Sequence, residues 1–365
     1  MIAPSQTAAE PAPGQPVDAL VLAGGGEAQP FRVGGQAIPK PYLELGGEPL
    51  VRRAVRAALG ARGVGQVFVV GEPAALGRAL APLEPAPPGR LHLVPQASDL
   101  LGSCLRVFFG HLLPTRGVPA PGGEGLEPAA IDRLSAEHPE LRRTPILVLT
   151  SDLPFVTAED VEAFLAAVPA EGAMVVGMCD HRQLAELLAD VPGAGLDRWK
   201  LGGLPLWPWS VRPNNLWLFR PLLAQAALYT LVGEVYAHRW LLGRDGRILW
   251  RNWWAIVRAF LIHGRRTRSP GRYLRGVLNF VPAVLAMAAA RALGRVARPL
   301  AWPFRRLLPQ RDVEAIGSWL LDAPARMLVG PSPGPALDVD VEESFAWLAA
   351  DGQAAYRRLS ERLRR

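Results

Sequence analysis

The chain has 365 residues, of which 50% are hydrophobic, with a formal net charge of +7 and a pI of about 10.1. This length exceeds one minimal domain and allows a substantial core. The basic balance favours anionic partners such as nucleotides, nucleic acid or an anionic membrane surface, although a GC-rich genome explains the composition equally well. Two cysteines, Cys104 and Cys179, exclude a disulfide scaffold and suit a reducing cytosol. The six histidines lack zinc-ligand spacing.

The N-terminal stretch combines a polar tail with a glycine-rich turn. Residues 1–16 lack the basic start and apolar run of a signal peptide and are predicted to form a disordered tail. The apolar run Ala19–Leu22 then leads into Gly24-Gly25-Gly26, which is typical of a buried strand that enters a tight loop. Backbone N–H groups of such a loop can cradle phosphate oxygens, and Lys40 adds a point charge. The spacing fits neither the dinucleotide fingerprint nor the P-loop.

Short apolar runs alternate with helical patterns as far as residue 113, which predicts a mostly parallel α/β sheet. Strands are predicted at Gln66–Val70 and Leu91–Val94, and helices at Leu50–Leu59, Ala74–Leu80 and Leu105–Leu113. A loop is predicted from Pro95-Gln96 to Gly102-Ser103. The polar, Pro- and Gly-rich stretch Pro114–Thr144 is predicted to be a surface excursion of low order.

The run Pro145–Thr150 is predicted to be a central strand, and Asp152 follows it directly. A carboxylate just past the end of a parallel strand lies at the ligand-binding edge of such a sheet. The alternative is that Asp152 only starts a turn before Pro154. Thr157 and Asp160 stand at the spacing of a capping box, which predicts a helix that runs to Ala167.

A fifth strand is predicted at Gly172–Met178, and a hairpin with a further strand is predicted in the segment 198–219. The segment carries Lys200 and the pair Asn214-Asn215. Either Lys200 and Asn214 face a ligand, or the segment has a solvated lysine and two turn asparagines.

Residues 223–324 are rich in Trp and Arg and form a segment of different character. A helix is predicted at Leu249–His263, and an apolar run at Gly276–Ala290 is expected to be interrupted by Pro282. That run is shorter than the roughly 20 apolar residues that a bilayer span needs. Two interpretations stay open: an interfacial membrane helix bordered by Arg and Trp, or a helical insertion packed on the core with basic outer faces.

The C-terminal part is predicted to return to the sheet. A helix is predicted at Asp312–Leu321 and a strand at Ala325–Val329. Asp338 and Asp340 then share one face of an extended segment, because they are two residues apart. Asp340 is also a candidate N-cap of the last helix. The chain ends as a basic helix end.

Three stretches together resemble the signature of the MobA-like nucleotidyltransferases, which include the molybdenum-cofactor guanylyltransferase and share a fold with sugar-nucleotide pyrophosphorylases. They are Leu22–Gly25, Pro39-Lys40 and Leu45–Leu50. The resemblance implies a three-layer α/β/α fold, GT-A-like and Rossmann-like, with a mostly parallel sheet. Residues 17–222 and 325–352 would form this core, 223–324 the helical insertion, and 353–365 the basic C-terminal helix end.

The resemblance further implies Mg²⁺-dependent transfer of a nucleoside monophosphate from a nucleoside triphosphate to a phosphorylated small-molecule or lipid-linked acceptor, with release of pyrophosphate. Lys40 and Asp152 would be catalytic, and the metal ligands would be Asp152, Asp338 and Asp340. Lys200 and Asn214 would face the acceptor. The nucleotide-binding residues would be Leu22, Ala23, Gly24, Gly25, Gly26, Lys40, Gln96, Gly102 and Ser103. The expected location is the cytoplasm, with the inner face of the membrane as a further candidate.

One departure from the family pattern supports a second hypothesis. Many members follow the glycines with Gly-Thr/Ser-Arg, where this chain has Glu27-Ala28-Gln29, and Arg32 is the candidate substitute for the arginine. The alternative is therefore a catalytically lapsed nucleotide-binding or scaffold relative. A nucleic-acid binder would rest on basicity alone. The enzymatic hypothesis requires that Lys40, Asp152 and the pair Asp338/Asp340 converge beside the glycine turn.

Overall fold

The computed structural model describes most of the chain. The described residues are 16–24, 30–81, 83, 89–97, 99–120, 128–189, 191, 203–224, 229, 231, 233–234, 238, 250–264, 269–296, 298–330 and 332–364. Four predictions fall on other residues: the tail over residues 1–15, the nucleotide contacts of Gly25 and Gly26, and the acceptor contact of Lys200.

A seven-stranded sheet with the order β11-β9-β10-β8-β1-β6-β7 forms the centre of the fold. In chain order, the strands of the described residues are β1 (Val17–Leu22), β2 (Phe31–Val33), β3 (Gln36–Ile38), β4 (Glu44–Leu45), β5 (Glu48–Pro49), β6 (Val64–Gly71), β7 (Leu91–Pro95), β8 (Ile146–Thr150), β9 (Met174–Asp180), β10 (Val211–Phe219) and β11 (Ala325–Gly330). The short strands pair as two separate hairpins, β2 with β3 and β4 with β5.

The sheet is parallel except at one strand. Leu20 of β1 pairs with Phe68 of β6 on one side and with Val148 of β8 on the other, both in parallel register. The strand β10 runs antiparallel to β8 and β9. The start of β10 therefore lies at the edge where the parallel strands end.

Helices cover both faces of the sheet, because its central strands are apolar on both sides. One face packs against α1 (Leu50–Gly60), α2 (Pro73–Leu80) and α6 (Ala158–Ala167). The other face packs against α3 (Leu100–Val107), the π-helical turn Phe108–Leu112, α4 (Leu113–Thr115) and α5 (Pro128–Glu137). The prediction of a three-layer α/β/α fold with a mostly parallel sheet is confirmed.

The prediction of low order over Pro114–Thr144 is wrong for its second half. The helix α5 and the 3-10 turn Pro139–Arg143 bury Ile131, Leu134 and Leu141 in the core of that face. Isolated apolar residues at helical spacing are easily overlooked in a polar stretch, because the periodic signal is weak there. Likewise, Gly102 and Ser103 lie inside the first turns of α3 rather than in a loop, since Asp99 caps that helix.

A smaller apolar cluster supports the returning C-terminal segment. The helix α7 (His181–Ala189) packs against α12 (Glu342–Leu363). The buried side chains between them and the β4 hairpin include Leu184, Phe345, Leu348 and Tyr356. The alternative that Asp340 caps the last helix is wrong, since Val341 holds the N-cap position without a side-chain hydrogen bond.

The described part of residues 223–324 is helical, with α8 (Trp250–Gly264), α9 (Pro270–Val296), α10 (Arg298–Arg306) and α11 (Gln310–Leu321). Pro282 lies inside α9, so the predicted interruption is wrong. The aromatic rings of Phe260, Tyr273 and Phe280 join α8 to α9. The later half of α9 packs on the sheet through Ala286, which lies in a cluster with Met178 and Val211.

A capping box at the start of α6 fixes the turn that follows β8. The Thr157 side chain accepts from the backbone N–H of Asp160, and the Asp160 carboxylate accepts from Thr157. We expect Thr157→Ala to lower the free energy of unfolding by about 1 kcal/mol. Thr157→Ser, which keeps the hydroxyl, should retain the wild-type value in urea unfolding monitored by circular dichroism. An equal loss in both variants would contradict the capping role.

Candidate functional site

The candidate site lies where β1 and β8 end. The backbone N–H of Ser151 donates to the carbonyl of Leu22 at 3.1 Å, and the backbone N–H of Ala23 donates to the carbonyl of Val70 at 2.8 Å. These bonds hold Leu22 and Ala23, which lead to Gly24, beside the segment that carries Asp152. The backbone N–H of Val339 donates to the Asp152 carbonyl at 3.0 Å. The segment that contains Asp338 and Asp340 is thereby fixed next to Asp152.

Lys40 lies between two of the predicted carboxylates. It starts a 3-10 turn, Lys40–Tyr42, that follows Pro39. Its Nζ lies 3.7 Å from Asp152 Oδ2 and 3.3 Å from Asp340 Oδ1. The Lys40 side chain is 19% exposed and that of Asp152 18%, whereas the Asp340 side chain is 51% exposed. The predicted convergence of Lys40, Asp152 and Asp340 is present in the structure.

Arg212 and Asn215, which the sequence analysis did not single out as site residues, hold Asp338. The buried Arg212 guanidinium donates to Asp338 Oδ1 and, at 3.0 Å, to the carbonyl of Ala336, and it lies 3.7 Å from Asp340 Oδ2. Asn215 Nδ2 donates to Asp338 Oδ2 at 2.9 Å. Asn215 has a φ of 58°, a left-handed conformation that asparagine tolerates.

The site is rich in negative charge. Burial raises the pKa of Asp152, and the neighbouring Lys40 ammonium opposes that rise. Burial, and then the charge of Asp340, raise the pKa of Asp338 to about 6, while Arg212 lowers it. Three carboxylates thus share two cations, Lys40 and Arg212. A bound cation would relieve this imbalance.

A metal fits this arrangement on one further observation. Asp152 Oδ1 is buried and has no hydrogen-bond partner in the described structure. An oxygen in that state can accept a hard cation such as Mg²⁺, which needs only one or two protein carboxylates beside water and phosphate ligands. Among the described residues, no group of three or more His, Cys, Asp or Glu side chains is arranged so that it could hold a metal ion by itself.

Among the predicted nucleotide contacts, Gly24 and Gln96 lie against each other. A Cβ added to Gly24 would lie 2.3 Å from Gln96 Oε1, so the Gln96 amide covers Gly24 closely. Ser103 is buried; its hydroxyl donates to the Asp99 carbonyl at 2.9 Å and accepts from the Ala97 N–H at 3.1 Å. The N–H of Gly102 donates to Asp99 Oδ1 at 2.7 Å. Gly102 and Ser103 therefore shape the loop that carries Gln96.

The structure does not bring Asn214 to the carboxylates. The Asn214 side chain is buried against Gly177, where an added Cβ would lie 2.1 Å from its Oδ1. It lines a cavity of about 50 Å³ together with Asp160 and Phe164. Asn215 occupies the place at the carboxylates, because its left-handed φ and the irregular register between Pro213 and Trp217 break the regular strand alternation there. Strand periodicity alone therefore does not select Asn215.

Arg32, the candidate substitute for the missing arginine, lies in the first hairpin. Its backbone N–H donates to Glu342 Oε1 at 2.8 Å, and its side chain is exposed. The hairpin is thereby joined to the start of α12. Arg32 makes no ion pair with Asp152, Asp338 or Asp340 in the described structure.

Comparison with known proteins identifies the class. Residues 19–247 match the MobA-like NTP transferase domain family, and the chain belongs to that family. It is a nucleotidyltransferase. No curated protein sequence matches the chain.

One solved structure with a TM-score above 0.5 agrees on the fold, and two others are similar at lower scores. A hypothetical transferase from Thermus thermophilus is similar with a TM-score of 0.54 and 23% identity, over 91% of this chain and 100% of that one. A 4-diphosphocytidyl-2C-methyl-D-erythritol synthase from Anaerococcus prevotii gives a TM-score of 0.40 and 10% identity, over 96% and 97% of the two chains. A CMP:2-keto-3-deoxy-manno-octonic acid synthetase solved with CTP gives 0.30 and 14%, over 56% and 74%.

The pair of Arg212 and Asp338 allows a test of how the site is held. Arg212→Met leaves buried carboxylates without their cation and should lower the free energy of unfolding by about 3 kcal/mol. Adding Asp338→Asn should restore part of the loss, because a neutral amide needs no counter-ion. Arg182→Met, which removes an exposed partner of Asp180, is the matched control and should leave the urea midpoint unchanged. An unchanged midpoint in Arg212→Met would contradict this account.

Proposed function

We propose that the protein is a Mg²⁺-dependent nucleotidyltransferase that moves a nucleoside monophosphate from a nucleoside triphosphate to a phosphorylated acceptor. The observation that carries this proposal is the convergence of Lys40, Asp152 and Asp340 at the ends of β1 and β8. In open α/β sheets, ligands bind at this edge of the sheet. The family membership of the chain agrees with nucleotidyl transfer in general.

The chemistry requires charge and position rather than covalent catalysis. An oxygen of the acceptor phosphate forms a bond to the α-phosphorus, and the bond between the α-phosphorus and the bridging oxygen breaks, so that pyrophosphate leaves. A phosphate acceptor is already an anion at neutral pH, and the attack therefore needs no general base. Negative charge develops on the transferred group and on the leaving group, which positioned cations stabilise.

Lys40 and the glycine turn supply the protein's own stabilisation of that charge. The Lys40 ammonium is held by Asp152 and Asp340, which leaves its remaining N–H donors for phosphate oxygens. The backbone at Gly24 is close to Gln96. Within this proposal, the backbone N–H groups contact the phosphates and the Gln96 amide contacts the nucleotide base.

Asp152 and Asp340 are the residues that would hold Mg²⁺, because Asp152 Oδ1 has no hydrogen-bond partner among the described residues and the Asp340 carboxylate is half exposed. Bound Mg²⁺ would neutralise the phosphate oxygens and the leaving pyrophosphate. Asp338, the third predicted ligand, binds Arg212 and Asn215 through its two oxygens. Within this proposal Asp338 positions Arg212 toward Asp340. Coordination of the metal by Asp338 would use the lone pairs of its carboxylate that Arg212 and Asn215 do not occupy.

Two features favour a second candidate, a catalytically lapsed nucleotide-binding relative. The segment Glu27-Ala28-Gln29 replaces the usual Gly-Thr/Ser-Arg, and Lys40 is already paired with two carboxylates. Such a protein would bind nucleoside triphosphates without releasing pyrophosphate in the presence of any acceptor. A pyrophosphate-release screen across the four nucleotides and several phosphorylated acceptors separates the two candidates.

The acceptor within this proposal is a phosphorylated small molecule or a lipid-linked phosphate, and the location is the cytoplasm, with the inner face of the membrane as a further candidate. Two free, buried cysteines agree with a reducing compartment. Among the described residues, one helix, Pro270–Gly294, has the length and mean hydropathy to cross a bilayer, and 11% of its apolar window is buried.

The role of Asp152 can be tested with Asp152→Asn. Loss of the buried charge should reduce pyrophosphate release at saturating Mg²⁺ by about a hundredfold or more, whereas nucleotide binding persists through the glycine turn. Asp180→Asn is the matched control, because Asp180 ends a neighbouring strand but pairs with Arg182. Retention of full activity in Asp152→Asn would refute the assignment, and equal loss in both variants would indicate a general effect on the sheet edge.

The close approach at Gly24 gives a second test. The added methyl group of Gly24→Ala displaces the Gln96 amide, and we expect nucleotide affinity to weaken about tenfold, or about 1.4 kcal/mol. In a Gln96→Ala background the same substitution should have little additional effect. Gly77→Ala, where an added Cβ meets nothing within 4 Å, is the control. Calorimetric titration with each nucleotide measures the affinities. Equal weakening of Gly24→Ala in both backgrounds would contradict a role for Gln96.

A further inference from the structure

Exposed apolar side chains are concentrated on the helical insertion. Of the twelve large hydrophobic residues that are exposed in the described structure, nine lie between Trp250 and Pro309. The most exposed are Leu307, Trp254 and Leu261, at 68%, 67% and 65%. Exposed apolar residues scattered singly need no explanation, but a concentration in one segment marks an interaction surface.

The helix α9 shows that this exposure is organised. Leu274, Leu278 and Leu285 are 57%, 64% and 53% exposed, and their spacing of four and seven residues places them on one side of the helix. Tyr273, Ala286 and Ala290 are buried on the other side. The helix therefore has two apolar sides, of which only one is packed against the protein.

The charge of the same segment is of one sign. Between Trp250 and Pro309 the sequence has twelve arginines and no Asp or Glu. On α8, the exposed residues Arg251, Trp254, Arg258 and Leu261 follow one another at spacings of three and four, so cations and apolar groups alternate along one side. An apolar surface with interspersed cations complements the hydrocarbon boundary and the anionic headgroups of a bilayer.

Two other occupants fit less well. A second copy of the chain would place the arginines of one insertion against those of the other, and like charges across an interface are unfavourable. A spanning helix would have to expose all its sides to lipid. The inner side of α9 is instead joined to the sheet through Ala286 with Met178 and Leu206. A position in the plane of the interface preserves these contacts.

The insertion is also joined to the candidate site. The N–H of Trp207 donates to the Leu308 carbonyl at 2.9 Å, and its ring lies against Trp302, with centroids 6.1 Å apart. Arg305 donates to the Leu206 carbonyl at 3.1 Å. The segment of residues 204–211 folds back on itself through a bridge between Leu204 and Val211, and Arg212 of the site follows directly.

We propose that the exposed sides of α8, α9 and α10 form a docking surface for an anionic phospholipid bilayer. The surface lies outside the carboxylate site and does not depend on nucleotidyl transfer. Docking would place the chain on the membrane by interfacial burial of Leu274, Leu278 and Leu285 together with attraction between arginines and headgroups. The segment of residues 204–211 would then lie between the bilayer and Arg212.

Flotation of the full chain with vesicles tests the proposal. At low salt we expect the protein to float with vesicles of phosphatidylcholine and phosphatidylglycerol, at least tenfold more than with phosphatidylcholine alone, and 0.5 M salt should reduce binding. The variant Leu274→Gln/Leu278→Gln/Leu285→Gln should bind vesicles at least tenfold less than the wild type. The variant Arg251→Gln/Arg258→Gln should also bind less, by a smaller factor. Leu93→Gln/Val329→Gln changes exposed apolar residues elsewhere and should float as the wild type does.

Other outcomes are decisive against the surface. A protein that stays at the bottom of the gradient with anionic vesicles, or a triple-leucine variant that floats normally, overturns the proposal. A dimer in light scattering that is lost in the triple-leucine variant would also overturn it. So would a membrane-bound fraction that resists high salt and carbonate, because such a fraction would indicate that α9 spans the bilayer. Asp152→Asn should float normally, so that failure of catalysis and failure of docking are distinguished. Circular dichroism of each variant confirms that it is folded.

Discussion

The site depends on one electrostatic constraint: in the part of the chain that the structure describes, three carboxylates share a sheet edge with two cations between them. Asp152 and Asp338 are removed from water, which favours their neutral forms, while Lys40 and Arg212 favour their charged forms. The negative charge of the three carboxylates therefore exceeds the positive charge of Lys40 and Arg212. Within the proposed function, a divalent cation bound at these carboxylates would complete the charge balance.

The reversed strand β10 makes the arrangement possible. In a purely parallel sheet, every strand presents its carboxyl end at the ligand edge, and residues at the start of a strand lie on the far side. Because β10 runs the other way between β8 and β9, its first residues reach the ligand edge. Arg212 and Asn215 are thus able to hold Asp338, while Val339 bonds to the backbone of Asp152.

The parts of the site that could be predicted from sequence are those that follow from local rules. Asp152 comes directly after an unmistakable central strand, and Asp338 and Asp340 share one face of an extended segment because they are two residues apart. Their positions therefore follow from strand periodicity. Arg212 and Asn215 could not be assigned in that way, since their roles depend on the direction of β10 and on the irregular register between Pro213 and Trp217. Similarly, Pro282 stops a helix by local rules, but packing of α9 on α8, α10 and α11 maintains it.

The order of the chain has a consequence for biogenesis. Lys40 and Asp340 are 300 residues apart, and the edge strand β11 follows the whole helical insertion. During synthesis, β1, β6, β7 and β8 can associate early, but β9 lacks its outer neighbour until the ribosome has passed residue 330. Contacts of such long sequence separation form late and slowly. The nascent chain therefore carries a nearly complete sheet before Asp340 has been synthesised and can reach Lys40.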